Sequence, residues 1–251
     1  MAEPAVQSAI ADLVRPHRLG PQGRAGLRLS ERAGVAIWQV AAWREADVPS
    51  VRSALRKSLR LALPEQPNGA ASAGGRVAIW IAPRRLWLVA TAQDAGSLAG
   101  LPDLVAGRAA VTDLSHARVV LRLSGPEART ALTKLCRIDL HPRAFAPGRT
   151  AQTPIGQVPA LIHCVDDFSA FRHPHPSLPR QGGGGTDRQE FPSSLAGEGS
   201  SLIPSPLAGE GQGGGATFDL YLPRSLARSA TEMLIDAAAG FGLEVGAQTS
   251  R

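Results

Sequence analysis

Two strand-like runs near the C-terminal end, Val158 to Val165 and Phe218 to Leu222, are separated by a stretch that does not read like folded protein. From Arg172 to Ala216, Gly and Pro supply 17 of 45 residues, against 30 of the other 206, and no apolar periodicity is present that could bury a face. Such a segment cannot offset its own ordering entropy, which predicts a disordered loop. Inside it, Pro192 to Gly199 and Pro204 to Gly211 agree at every position but the third, within a twelve-residue near-repeat that reads as an in-frame insertion. The flanking runs then become arms of one antiparallel hairpin interrupted at its tip, since loop closure costs only about 0.6 kcal/mol per doubling of length. About 206 residues remain, enough for one large domain or two small ones. The expected organisation is a peripheral segment over 1–24, one domain made of 25–171 and 217–246, the insertion 172–216 and a tail over 247–251. A division of the domain into 25–108 and 109–246 is left open.

Composition narrows the class of protein. The hydrophobic fraction is 43%, ordinary for a soluble chain, and no run of 18 apolar residues exists that could span a bilayer. Met1-Ala2-Glu3-Pro4-Ala5 lacks the basic-then-apolar order of a signal peptide, so a cytoplasmic location is expected. Net charge +6 would ordinarily raise nucleic acid as a partner, but 25 of the 27 basic residues are scattered Arg beside abundant Ala and Gly. That skew reflects codon composition, and nucleic-acid affinity requires clustered phosphate contacts. No nucleic-acid or membrane partner is expected, whereas an acidic protein partner suits the charge.

Local patterns predict an α+β fold of antiparallel hairpins packed with helices. Ala5 to Val14 is a short amphipathic candidate. Gly26 to Leu29 and Gly34 to Val40 suit a hairpin around Ser30 to Ala33. Val51, Leu55 and Leu59 share one helical face behind Asp47 as cap and Pro49 in the first turn. An Asn68 to Gly75 loop leads to strands at Val77 to Ile81 and Leu86 to Val89. A weak helix is expected from Asp94 toward Val105, interrupted by Gly96, Gly100 and Pro102. Strands at Ala110 to Ser115 and Val119 to Leu123 precede Ser124-Gly125-Pro126-Glu127, which has the form of a capping box before a helix with Ala128, Ala131 and Leu132 inward. Asp139 to Gly148 is a shaped loop. A final helix carries Leu226, Ala230, Met233 and Leu234, and a short strand over Leu243 to Val245 follows.

The chemistry-bearing residues do not assemble a site. Asp113, Ser115 and His116 invite a hydrolase reading, but triad members converge from separate segments and no Gly-x-Ser-x-Gly elbow is present. Cys136 and Cys164 are too few for a metal cluster and read as buried thiols. His173 and His175 sit in the insertion, Asp166-Asp167 at a hairpin tip is a turn former, and no phosphate-binding glycine motif occurs. The candidates left are interface or structural: Trp43, beside Arg44 and Glu45, and His141 and Phe145 in the shaped loop. No catalytic, cofactor-binding or metal residue is assigned.

Three segments taken together resemble a known family. Val111 through Arg129, then Asp139-Leu140-His141-Pro142 through Thr153, then Phe218-Asp219-Leu220-Tyr221 through Ser229 are similar to the gamma subunit of heterotetrameric sarcosine oxidase. The likeness runs from about Leu27 to Val245, with the Asp-Leu-His-Pro and Phe-Asp-Leu-Tyr segments as its most specific parts. It implies a fold like the folate-binding domain of aminomethyltransferases, sharing the strand, Gly-Pro and helix unit at Leu121 to Leu135. It further implies an assembly role beside alpha, beta and delta subunits in oxidative demethylation of sarcosine to glycine, with hydrogen peroxide and methylenetetrahydrofolate formed. FAD, FMN, NAD, tetrahydrofolate and zinc are implied on those other subunits and none on this chain. Gly156-Gln157-Val158 stands where aminomethyltransferases carry a glycine pair, and Asp166-Asp167 come too late to be their paired aspartates. The alternative is a free-standing folate-binding or folate-dependent protein of the same superfamily.

Overall fold

The computed structural model describes residues 8–21, 26–165 and 215–246. In chain order these form β1 (His17–Leu19), β2 (Leu27–Glu31), β3 (Ala36–Ala42), α1 (Val48–Leu59), β4 (Ala70–Ala73), β5 (Arg76–Ala82), β6 (Arg85–Ala90), α2 (Leu101–Leu104), β7 (Ala109–Asp113) and β8 (Arg118–Gly125). There follow α3 (Ala128–Thr133), β9 (Thr150–Ile155), β10 (Val158–Val165), β11 (Ala216–Pro223), α4 (Ala227–Ala239) and β12 (Leu243–Gly246). Two sheets result, ordered β1-β12-β2-β8-β11-β10-β9 and β4-β5-β6-β3-β7. Their pairs are antiparallel except β12 with β2, so the predicted α+β class stands.

Alternation on the strands explains the layering. In β11, Phe218, Leu220 and Leu222 join a core with Leu121 and Leu123 of β8, Ala128 and Leu132 of α3, and Ala230 and Leu234 of α4. Tyr221 points the other way and meets Val120, Leu161, Ile37, Trp87 and Val89, which places the two sheets face to face. Leu86 and Leu88 of β6 turn outward from that interface to meet Val51, Leu55 and Leu59 of α1. Each sheet therefore carries apolar side chains on both faces, with helices outside. At one corner the sheets also touch through backbone, where the Ala70 and Thr150 N–H groups donate to Gly148 and Asn68 carbonyls at 2.7 and 2.8 Å.

The predicted interrupted hairpin forms, with Leu161 opposite Tyr221 and Val165 opposite Thr217. Its inner boundary is corrected: Ala216 lies in β11, opposite Gly125, and is 7% exposed. The disorder expected of the insertion concerns residues outside those described. Removing residues 172–214 would shorten the connection from 49 residues (166–214) to six (166–171), about three halvings at roughly 0.6 kcal/mol each. We expect a melting temperature equal to or above that of the full chain; recovery of only aggregated protein would sink this expectation.

Other local expectations yield to long-range pairing. β2 and β3 are not a hairpin: β2 lies between β12 and β8, and β3 between β6 and β7. The Ser30 to Ala33 segment lacks the Asn-Gly type of turn that would hold a tight pair, and the chain crosses between sheets there instead. The Asn68 to Gly75 loop contains β4, a short edge strand of small residues paired to β5. β9, unforeseen, borders β10. The helix from Asp94 is reduced to a 3-10 turn at Ala95–Leu98 and α2, consistent with its internal glycines and proline.

The capping box does not form, because Ser124 is spent in β8 opposite Thr217 and Arg28, and the residue before α3, Glu127, makes no side-chain cap. The unit survives for another reason. Gly125 has φ +135° and its missing Cβ would stand 2.3 Å from the Gly26 carbonyl oxygen, so only glycine permits the crossing. Asp47 does precede α1, but its carboxylate accepts the Arg44 N–H at 3.2 Å rather than one of the helix. The first segment is not peripheral in its described part: residues 9–14 are turns rather than a helix, Ile10 is fully buried, Ser8 donates to Glu31, and β1 extends the sheet.

Candidate functional site

The densest polar arrangement lies on the face of the seven-stranded sheet that meets the other sheet. Strand period two puts Asp219 on the same side as Tyr221, and register sets it beside Arg122 of β8 and His163 of β10. Arg122 grips its carboxylate with two bonds, Nε to Oδ1 at 2.7 Å and Nη2 to Oδ2 at 2.9 Å, and Arg32, just after β2, adds Nη1 to Oδ2 at 2.8 Å. Asp219 is 1% exposed and His163 1% exposed. Such fork-like contacts are the strongest a carboxylate makes.

Burial alone would raise the Asp219 carboxyl, but the Arg122 hydrogen bond and the charges of both arginines outweigh it and hold the group below its ordinary range. Burial pushes His163 down to about 4, aided by the two arginines and opposed by Asp219, so the ring is neutral near pH 7. Burial, and then the Asp219 charge, raise the Tyr221 phenol. His163 Nδ1 and the Tyr221 hydroxyl make no hydrogen bond among the described residues. At neutral pH the two guanidiniums hold the Asp219 carboxylate ionised and burial holds the His163 ring neutral. The arrangement is a clamp joining three segments, the end of β2, β8 and β11, with His163 of β10 packed beside it.

The shaped loop is held by a residue that sequence reading missed. Arg129 of α3 donates through Nη1 to the carbonyls of Leu140 and Phe145, and its guanidinium lies 5.3 Å over the Phe218 ring. Phe145 is buried and stacks on Phe218, ring centres 6.3 Å apart. His141 is exposed; its Nδ1 accepts the Arg143 N–H at 3.2 Å, its carbonyl accepts the Ala144 and Phe145 N–H groups, and its own N–H donates to Asp139. The loop's two candidates thus divide, Phe145 inward and His141 outward. One arginine among 25 carries no signal of such a role.

Trp43 is 53% exposed at the end of β3, while Trp87 is buried edge-on against Tyr221 at 6.2 Å. The Asp113, Ser115 and His116 trio is a turn: the Ser115 N–H and hydroxyl both donate to Asp113, and its Oγ accepts the Ile37 N–H. Both cysteines are buried thiols. Among the described residues no group of three or more His, Cys, Asp or Glu could hold a metal ion, and no helix is long and apolar enough to cross a membrane. Asp166, Asp167, His173 and His175 lie outside the described residues.

No family model matches the chain. Over 115 residues it is 39% identical to the sarcosine oxidase subunit gamma of Arthrobacter sp, covering 44% of this chain and 55% of that one. It is 35% identical over 131 residues to the protein of the same name from Corynebacterium sp. strain P-1, covering 50% and 63%. Against that of strain U-96 it is 36% identical over 95 residues, covering 37% and 45%. The chain thus spans about half the length of the curated relatives it matches, and the resemblance read from its motifs stands. In fold it is similar to a chain of the heterotetrameric sarcosine oxidase from Corynebacterium sp. U-96 in complex with pyrrole 2-carboxylate, with TM-score 0.63, 22% identity, and coverage of 94% of this chain and 96% of that one. It also resembles the glycine cleavage system aminomethyltransferase T from Bartonella henselae, with TM-score 0.50, 17% identity, and coverage of 86% and 50%.

Proposed function

We propose that this chain is a gamma subunit of a heterotetrameric sarcosine oxidase, acting in assembly and not in chemistry. The observation that carries this reading is the 35–39% identity to three proteins of that one name. The Asp219 carboxylate supports the second half, since Arg32 and Arg122 already engage both of its oxygens. In this reading alpha, beta and delta subunits are the partners and hold FAD, FMN, NAD, tetrahydrofolate and zinc. The complex demethylates sarcosine oxidatively to glycine in the cytoplasm, with hydrogen peroxide and methylenetetrahydrofolate as the other products.

Tagged full-length chain, co-expressed with the flavin-carrying subunits, is expected to elute with them and to bring visible flavin absorbance. Elution alone overturns the reading. The fold shared with an aminomethyltransferase favours one rival, a free-standing folate protein. Titration of the isolated chain with tetrahydrofolate separates the two, because micromolar binding without partners belongs to the rival and its absence to the assembly subunit.

A further inference from the structure

Trp43 is one of two large hydrophobic side chains exposed among the described residues, and its backbone is fixed on both sides. Its N–H donates to the Arg108 carbonyl at 3.0 Å, the preceding Ala42 N–H donates to the Arg84 carbonyl at 2.9 Å, and the Arg84 guanidinium donates to the Trp43 carbonyl. A backbone already fixed spares a contact the cost of ordering the main chain. Beside it, α1 and the turn between β5 and β6 border a small, open groove. Its floor is apolar, from Val40, Val51 and Leu86, while Arg52, Arg84 and Arg85 are its charged lining and no acid lines it.

Charge decides what fits. Arg52 donates to the Pro64 carbonyl at 2.6 Å and lies 5.6 Å over the Trp80 ring, forming no ion pair among the described residues, while Glu65 acts on it only through its charge. Arg84 and Arg85 are exposed and likewise form no ion pair there. Of the neighbouring acids, Asp47 and Glu65 are engaged by Arg44 and Arg56, and the exposed Glu45 lies on the far side of Trp43 in sequence from β3, away from the groove lining. An exposed tryptophan next to an apolar groove, rimmed by arginines, has the composition of an interface centre, where Trp and Arg are enriched. A nucleic acid would need a longer cationic track and no apolar floor.

We propose that this face docks a segment of a partner polypeptide that lays one apolar side chain against the exposed Trp43 ring and carboxylates over Arg84 and Arg85. That the partner is another subunit of the same complex rests on the function proposed above; the chemistry of the contact does not.

The test uses full-length chain co-expressed with the flavin-carrying subunits, as wild type, Trp43→Ala, Arg85→Glu and, as a charge control on the exposed side of α1, Lys57→Glu. Melting temperatures are expected to agree, since exposed substitutions change stability little. Trp43→Ala and Arg85→Glu are expected to weaken partner retention about tenfold or more, with the Arg85→Glu deficit shrinking at high salt, while Lys57→Glu retains wild-type binding. Wild-type retention with both variants within about twofold of it overturns the docking face. If wild type retains no flavoprotein, the subunit reading fails, and docking is decided by fluorescence titration with a synthetic acidic peptide carrying one central leucine. Binding lost in Trp43→Ala sustains the proposal, and no binding to wild type overturns it. Self-association abolished by Trp43→Ala would make a second copy the occupant and overturn it too.

Discussion

Asp219→Ala is expected to destabilise the fold by about 3–5 kcal/mol, the range for removing one partner of a buried ion pair. The size follows from what remains: Arg32 and Arg122, with side chains only 12% and 23% exposed, would keep their charges without the carboxylate that both now bond. For a chain of this size the loss corresponds to a melting temperature lower by about 10 °C. Urea unfolding followed by tryptophan fluorescence measures it, and a loss under about 1 kcal/mol would mean that the clamp does not hold the strands together. Converting the set to apolar side chains, Asp219→Leu with Arg32→Met and Arg122→Met, is expected to recover most of the stability, since desolvation of the ions offsets much of their attraction.

Acid should weaken the fold in two separable windows. His163 has its folded pKa depressed from 6.5 to about 4, so the unfolded chain binds the extra proton between those values. Stability from this group is fully present above pH 6.5 and is lost as pH falls toward 4, by an amount on the order of 3 kcal/mol. The folded Asp219 carboxyl also titrates below its ordinary value of 3.8, so its contribution persists until pH falls below that value and only then disappears. His163→Leu is expected to flatten the dependence of the urea midpoint between pH 6.5 and 4 while leaving the lower window in place. An unchanged slope in that variant would show that the histidine is not the titrating group.

Much of the secondary structure was readable because it depends on neighbours in sequence. The spacing of Val51, Leu55 and Leu59 marked α1, and the runs around Leu161 and Tyr221 marked two arms of one hairpin, each pattern expressing which face will be buried. Errors fell where two short strands sit close in sequence but pair elsewhere, as with β2 and β3. Local turn chemistry there was weak, and the pairing energy came from β8 and β12, far along the chain. The Ser124 box failed for a related reason, since backbone pairing to Thr217 removed the side chain from the helix end.

The candidate residues divide the same way. Trp43, His141 and Phe145 stood out by type and position, but their exposure did not: a tryptophan and a phenylalanine look alike in sequence, and only packing left one at the surface and put the other against Phe218. The clamp gave no signal, because Arg122 and Arg32 lie 97 and 187 residues from Asp219 and are two arginines among 25. The sequence by itself determined the α+β class, α1 and α4, the hairpin and its interruption, and the segments that resemble sarcosine oxidase gamma subunits, all of which are written in short-range order. Which sheet each strand joins, which charges are buried together, and how far burial shifts their protonation were decided only by tertiary structure, because desolvation and Coulomb energy depend on distances that the chain sets when it folds.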